Sequence, residues 1–158
     1  MCKKPLLKLY LTTFAIFFAV NASADIVADQ KALLKLFTES CLKTYPTYSG
    51  IDKIMSSKGF EQTSYGAWKG EHSFVNPAVK LSGGGLSCLV TRQKTDPRGI
   101  HTALIEALRN ASGKDVKATI RGRKTEITLT IRGAPTRITA GPLARGVADM
   151  AIFKDQRM

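Results

Sequence analysis

Apolar residues recur with a helical period in the segment that begins near residue 29. Leu33, Leu34, Phe37 and Cys41 fall three or four residues apart, and charged side chains occupy the other side of the same helical wheel. This spacing predicts one amphipathic helix, which ends before Pro46. Its apolar stripe carries Cys41.

Two further helices are predicted, and the signal for the first is weaker than the signal for the second. A short apolar face over residues 50–58 predicts a second, shorter helix. Asp96-Pro97 places a capping acid directly before a proline, which favours a helix start, and Ile100, Leu104 and Leu108 then repeat every four residues. This third segment has the clearest helical pattern in the chain.

After the third helix, the period of the apolar residues changes to two. Apolar and polar side chains alternate from Val116 to Arg121 and again from Glu126 to Arg132, with Gly122-Arg123 between the two segments. This alternation predicts two antiparallel strands of a half-buried sheet.

Shorter strand signals lie on both sides of this hairpin. Residues 60–81 are broken by glycines and Pro77 into pieces typical of strands and turns, Cys88 faces inward in a strand over 86–91, and 150–153 supplies a last strand. We therefore expect one α+β domain over residues 25–158, with three helices packed on one face of a mostly antiparallel sheet.

The first 24 residues have the composition of an export signal. Three lysines precede twelve mostly apolar residues, and the segment closes on Ala22-Ser23-Ala24. This arrangement predicts a secretory signal peptide cleaved between Ala24 and Asp25, because the apolar run is shorter than the roughly 20 residues that span a bilayer. We expect a periplasmic or secreted protein.

Removal of the leader also removes Cys2 and leaves Cys41 and Cys88. Two cysteines in an exported chain predict one disulfide, which would stabilise the fold by roughly 4 kcal/mol in the chain-entropy model. A nucleophilic or metal-ligating cysteine is the alternative, although the chain has no C-x-x-C motif and only two histidines.

The positive charge is concentrated in one half of the chain. The full chain has 24 basic and 12 acidic residues, and 14 of the basic residues lie after residue 91. A basic sheet face that binds an anionic partner is the functional interpretation, and a solvated surface that keeps the protein soluble is the alternative. The candidate contacts are Lys117, Arg121, Arg123, Lys124, Arg132 and Arg137.

The aromatic residues favour an envelope surface over nucleic acid as the anionic partner. Single-strand binders stack bases on aromatic side chains inside a basic groove, whereas Phe153 is the only aromatic residue after Phe74. Lipid headgroups and lipopolysaccharide phosphates require only point charges. Tyr45, Tyr48 and Trp68 are expected to pack in the core, together with Tyr65, or to form a patch for a sugar or a protein.

Catalytic motifs are largely absent from the sequence. No phosphate-binding loop, nucleophile elbow or H-E-x-x-H motif occurs, and no cofactor or metal site is predicted. An acid/base pair of His72 and His101 would make the protein a small secreted hydrolase acting on phosphodiesters.

The first half of the chain resembles small uncharacterised exported proteins of proteobacteria. The resemblance covers residues 34–92 and is carried by four features: Phe37-x-x-x-Cys41-Leu42, Lys58-Gly59-Phe60, Trp68 after a glycine, and Ser87-Cys88-Leu89-Val90. It implies a Gram-negative periplasmic location and a disulfide between the two cysteines, and it implies no activity.

These observations together favour a non-enzymatic periplasmic or secreted module whose basic face binds an anionic envelope surface or a protein partner. The phosphodiester hydrolase is one alternative. An accessory or inhibitory subunit of an exported complex, with the aromatic half as its interface, is another.

Overall fold

A computed structural model describes residues 28–80, 86–96, 99–112, 116 and 118–154. The predicted signal peptide, its cleavage site between Ala24 and Asp25, and Lys117 lie outside these residues. The described chain forms three helices and eight strands. The helices are α1 (28–44, with a π-helical turn at Thr38–Leu42), α2 (Ile51–Ser57) and α3 (Ile100–Ser112). The strands are β1 (Glu61–Gln62), β2 (Trp68–Lys69), β3 (Ser73–Lys80), β4 (Leu86–Gln93), β5 (Ala118–Arg121), β6 (Lys124–Ile131), β7 (Ala134–Ala144) and β8 (Val147–Lys154).

The strands form one antiparallel sheet in the order β1-β2-β3-β4-β8-β7-β6-β5. Strands β1 to β4 make one meander and β5 to β8 make a second, with α3 between them in the chain. The last strand, β8, pairs with β4 over seven residue pairs and so joins the two meanders. The predicted α+β class with helices on a mostly antiparallel sheet is confirmed.

Alternation along the strands separates a covered face from an open face. On β6, Thr125 and Ile127 are buried, while Glu126 between them and Thr128 after them are exposed. Cross-strand pairing carries the buried set from β6 to β7 and β8, because Ile127 pairs with Ile138, which pairs with Ile152. The covered face packs against the helices, and we call the opposite side the open face.

The disulfide joins α1 to the strand at the centre of the sheet. Cys41 lies on the same buried stripe as Leu33 and Phe37, all three with no exposed surface. Its sulfur is bonded to that of Cys88 on β4, with the two Cα atoms 5.6 Å apart. The predicted Cys41–Cys88 bridge is therefore confirmed. Such bonds are typical of proteins outside the cytoplasm.

The C-terminal segment contains more regular structure than the sequence predicts. In the sequence, Pro135, Gly141 and Pro142 interrupt any strand pattern over residues 135–142, yet β7 runs through them from Ala134 to Ala144. Proline is tolerated near strand ends and at bulges. Pro135 is the second residue of β7, and Pro142 adjoins a register shift against β8.

Candidate functional site

The predicted basic contacts divide between two ends of the sheet. Arg121, Arg123 and Lys124 are all exposed and lie at the β5–β6 turn. Gly122 has a φ of 61°, a conformation that glycine adopts freely, and it sits in the first central position of this two-residue turn. The sequence thus places three cations on one tight hairpin.

Two further exposed cations, which no local sequence pattern indicated, lie at the same end of the sheet. Arg145 lies in the β7–β8 turn, and Lys94 directly follows β4. They come to this end because Val147 of β8 pairs with Gln93 of β4. We define the basic end of the sheet as Lys94, Arg121, Arg123, Lys124 and Arg145.

Two exposed apolar side chains accompany these cations. Ile120 on the edge strand β5 is 54% exposed, and Leu143 near the β7–β8 turn is 59% exposed. Cations beside exposed aliphatic groups are the combination that binds the interface of an anionic bilayer, where the charges meet headgroups and the apolar groups enter the acyl boundary.

Lys124 also has an intramolecular role on the open face. It lies across Gly141 of β7, since a Cβ at Gly141 would be 3.1 Å from Lys124 Cγ. On the other side of β7, Asp149 of β8 pairs with Gly141. Burial raises the pKa of the Asp149 carboxyl, and the positive charge of Lys124 partly opposes that shift.

Arg132 corrects the sequence prediction. It was expected on the solvent face of the hairpin, but it occupies the β6–β7 turn at the opposite end of the sheet. Its Nη1 donates hydrogen bonds of 2.8 and 2.7 Å to the backbone oxygens of Lys43 and Tyr45. Arg132 therefore ties this turn to the end of α1.

Arg137 lies on the open face but is already engaged. Its Nη1 is 3.9 Å from a Glu126 carboxylate oxygen, and its guanidinium carbon is 5.0 Å from the centre of the Phe153 ring. Ion pairing and the cation–π contact hold this charge against the sheet. Arg137 therefore contributes less free positive charge than the hairpin cations.

The two histidines are not brought together. His72 directly precedes β3, with its Nε2 3.5 Å from a Glu71 carboxylate oxygen, whereas His101 on α3 hydrogen-bonds the Thr125 hydroxyl of β6 through Nδ1. Strands β3 and β6 are four steps apart in the sheet. At about 4.8 Å per step, the two strands beside which the histidines lie are roughly 19 Å apart. This distance is too large for a shared acid/base site.

Three of the four tyrosine and tryptophan side chains singled out in the first half of the chain are buried in the core. Tyr45, Tyr48 and Trp68 are each no more than 5% exposed, as the core prediction states, but that prediction is wrong for Tyr65, which is 93% exposed. Burial raises the pKa of Tyr48, whose hydroxyl donates to the backbone oxygen of Ile152. These residues do not form a surface patch.

Comparison with known proteins identifies no relative. No family model matches the chain, no curated protein matches its sequence, and no solved structure matches its fold. The resemblance to exported proteobacterial proteins therefore stays a prediction. In the part of the chain that the structure describes, no helix is long and apolar enough to span a bilayer, and no group of three or more His, Cys, Asp or Glu residues could hold a metal ion.

Proposed function

We propose that this protein is a non-enzymatic periplasmic module that binds an anionic envelope surface through the basic end of its sheet. The observation that carries the proposal is the meeting of five exposed cations and two exposed aliphatic side chains at one end of the sheet. The disulfide and the predicted leader support an extracytoplasmic location.

The strength of this binding follows from the charges available. Each basic residue near an anionic membrane surface contributes about 1 kcal/mol. Losing three such residues should therefore weaken binding by about 3 kcal/mol, on the order of a hundredfold. Because the attraction is electrostatic, physiological salt should also weaken it.

The test is cosedimentation of the processed chain, purified from an exporting host, with vesicles. Vesicles of phosphatidylglycerol are compared with vesicles of phosphatidylcholine and with lipopolysaccharide, at low and physiological salt. We expect salt-sensitive binding to the anionic surfaces and none to phosphatidylcholine. Replacement of Arg121, Arg123 and Arg145 by Glu should abolish it.

A matched control separates position from net charge. Lys43, Lys53 and Arg109 are exposed side chains on α1, α2 and α3, on the side of the molecule that carries the β6–β7 turn, and their replacement by Glu changes the net charge by the same amount. This control should bind more tightly than the basic-end variant. Equal loss in both variants would show that net charge alone is responsible, and unchanged binding in the basic-end variant would overturn the proposal.

A further inference from the structure

A cleft of about 600 Å³ opens at the opposite end of the sheet from the five cations. It lies between the π-helical turn of α1, the helix α3 and the last residues of β6 with the following turn. Its volume is within the range of roughly 300 to 1,000 Å³ that small-molecule sites occupy. Its apolar walls are formed by Leu42, Leu108, Leu129 and Ile131.

The π-helical turn shapes one wall of this cleft. Thr38, Glu39 and Leu42 all belong to it and all line the cleft. Single π-turns within α-helices occur frequently at functional sites. Glu39 is already paired, since its carboxylate forms an ion pair with Lys58 of the α2 C-terminal end. Its negative charge is therefore compensated.

The remaining charges at the mouth of the cleft are positive. Lys43 and Arg132 are both exposed and both line it. Because Arg132 Nη1 donates to the backbone oxygens of Lys43 and Tyr45, the guanidinium is held in place. Its Nε and Nη2 groups have no hydrogen-bond partner within the described residues. A fixed guanidinium with free donors is suited to a carboxylate.

We propose that this cleft binds an amphipathic monocarboxylate with a single acyl chain. The chain would contact the four apolar wall residues, and the carboxylate would accept hydrogen bonds from Arg132 and attract Lys43. This ligand class is inferred from the cleft, which has an apolar interior and carries two cations and one neutralised acid at its mouth. This site is separate from the basic end of the sheet and does not depend on the proposed surface binding.

The probe is dodecanoate below its micelle concentration, titrated into the processed chain by calorimetry. We expect saturable binding at one site per chain, with no binding of acetate, which lacks the chain. Dodecyltrimethylammonium, which has the same chain with a cationic headgroup, should bind at least about tenfold more weakly because it meets like charge. Equal binding of the two long-chain probes, or no saturable binding of dodecanoate, would overturn the proposal.

Two substitutions test whether dodecanoate binds in the cleft. Thr38→Phe fills the cleft from α1 without removing a core side chain and should weaken dodecanoate binding by about tenfold or more. Lys43→Gln removes a solvent-exposed charge at the mouth and should weaken binding by up to about fivefold. Circular dichroism confirms that each variant is folded.

Amide chemical shifts provide a measurement on the unaltered chain if a variant does not fold. Dodecanoate should shift the amide signals of residues 38–43 and 129–133, and shifts located elsewhere would overturn the assignment. The triple variant of Arg121, Arg123 and Arg145 should bind dodecanoate like the parent chain. Failure of the surface-binding proposal can therefore be distinguished from failure of this one.

Discussion

Asp149 is an acidic residue whose environment opposes its charge. It is half-buried on the open face of β8, opposite Gly141, and its desolvation raises the pKa of the carboxyl. The folded protein therefore holds this proton at pH values where the unfolded chain has already released it. Stability falls as pH rises through that interval, so ionised Asp149 reduces stability at neutral pH.

Replacing Asp149 with Asn should therefore stabilise the protein at neutral pH. The amide has nearly the same volume and carries no charge to desolvate. We expect a higher melting temperature than that of the parent chain at pH 7 and no difference at pH 3, where the carboxyl is protonated in both states. Thermal unfolding followed by circular dichroism from pH 3 to pH 7 measures this.

Glu106→Gln provides the control for Asp149→Asn. Glu106 is exposed on α3, so loss of its charge should change the melting temperature little at either pH. A drop in melting temperature for Asp149→Asn at pH 7 would contradict the desolvation argument. It would show that attraction to Lys124 and the hydrogen bond from the Asp149 backbone together outweigh the cost of burial.

At the scale of an element, the β6–β7 turn depends on contacts outside the hairpin. Both of its central residues have positive φ, 50° at Arg132 and 77° at Gly133, the combination of a type I′ turn. This conformation is costly for a non-glycine residue. The two hydrogen bonds from the Arg132 guanidinium to the end of α1 offset that cost.

Arg132→Gln should lower the free energy of unfolding by about 1 to 2 kcal/mol. Arginine and glutamine at position 132 bear the same backbone cost of a positive φ. The difference in the free energy of unfolding therefore reports the charged hydrogen bonds, which are partly exposed to solvent. Urea unfolding measures the change. Arg123→Gln in the β5–β6 turn is the matched control and should stay within about 0.5 kcal/mol of the parent. Equal effects of the two substitutions would argue against the tether.

The same turn shows where local patterns mislead. The alternation through Ile127, Leu129 and Ile131 correctly predicts β6, and extending it by one residue puts Arg132 on the strand face. The chain turns there instead, because Arg132 and Gly133 both adopt positive φ. Arg132 donates its hydrogen bonds to the backbone oxygens of Lys43 and Tyr45, which lie 89 and 87 positions earlier in the chain, and no local pattern shows such contacts.

Long-range pairing accounts for the other features that sequence patterns did not reveal. The β5–β6 cations were predictable from one hairpin, whereas Arg145 and Lys94 join them only because β8 pairs with β4. The cleft likewise needs α1, α3 and the β6–β7 turn together. The disulfide was predictable because the expected mature chain has only two cysteines to pair.

At the scale of the whole molecule, one covalent link connects the helical layer to the centre of the sheet. Cys88 pairs across the sheet with Ile152 of β8, the strand that joins the two meanders, and its sulfur binds Cys41 of α1. The disulfide therefore restrains α1, which forms a wall of the cleft, against the strands that bring the basic end together.

Loss of the disulfide should cost the folded state a large part of its stability. The two cysteines are 47 positions apart, and closing a loop of that length contributes roughly 4 kcal/mol in the chain-entropy model. Domains of this size are typically stable by only about 5 to 15 kcal/mol. We expect the double variant Cys41→Ala and Cys88→Ala to unfold at a much lower urea concentration than the oxidised parent.

The reduced parent chain is the control that separates the bond from the side chains. Reduction with dithiothreitol should lower the urea midpoint of the parent to near that of the double variant, because both lack the same loop restraint, and should leave the variant unchanged. A parent midpoint insensitive to reductant would mean that the loop restraint contributes little. Packing of Cys41 beside Leu33 and Phe37 would then hold α1 on the sheet without the bond.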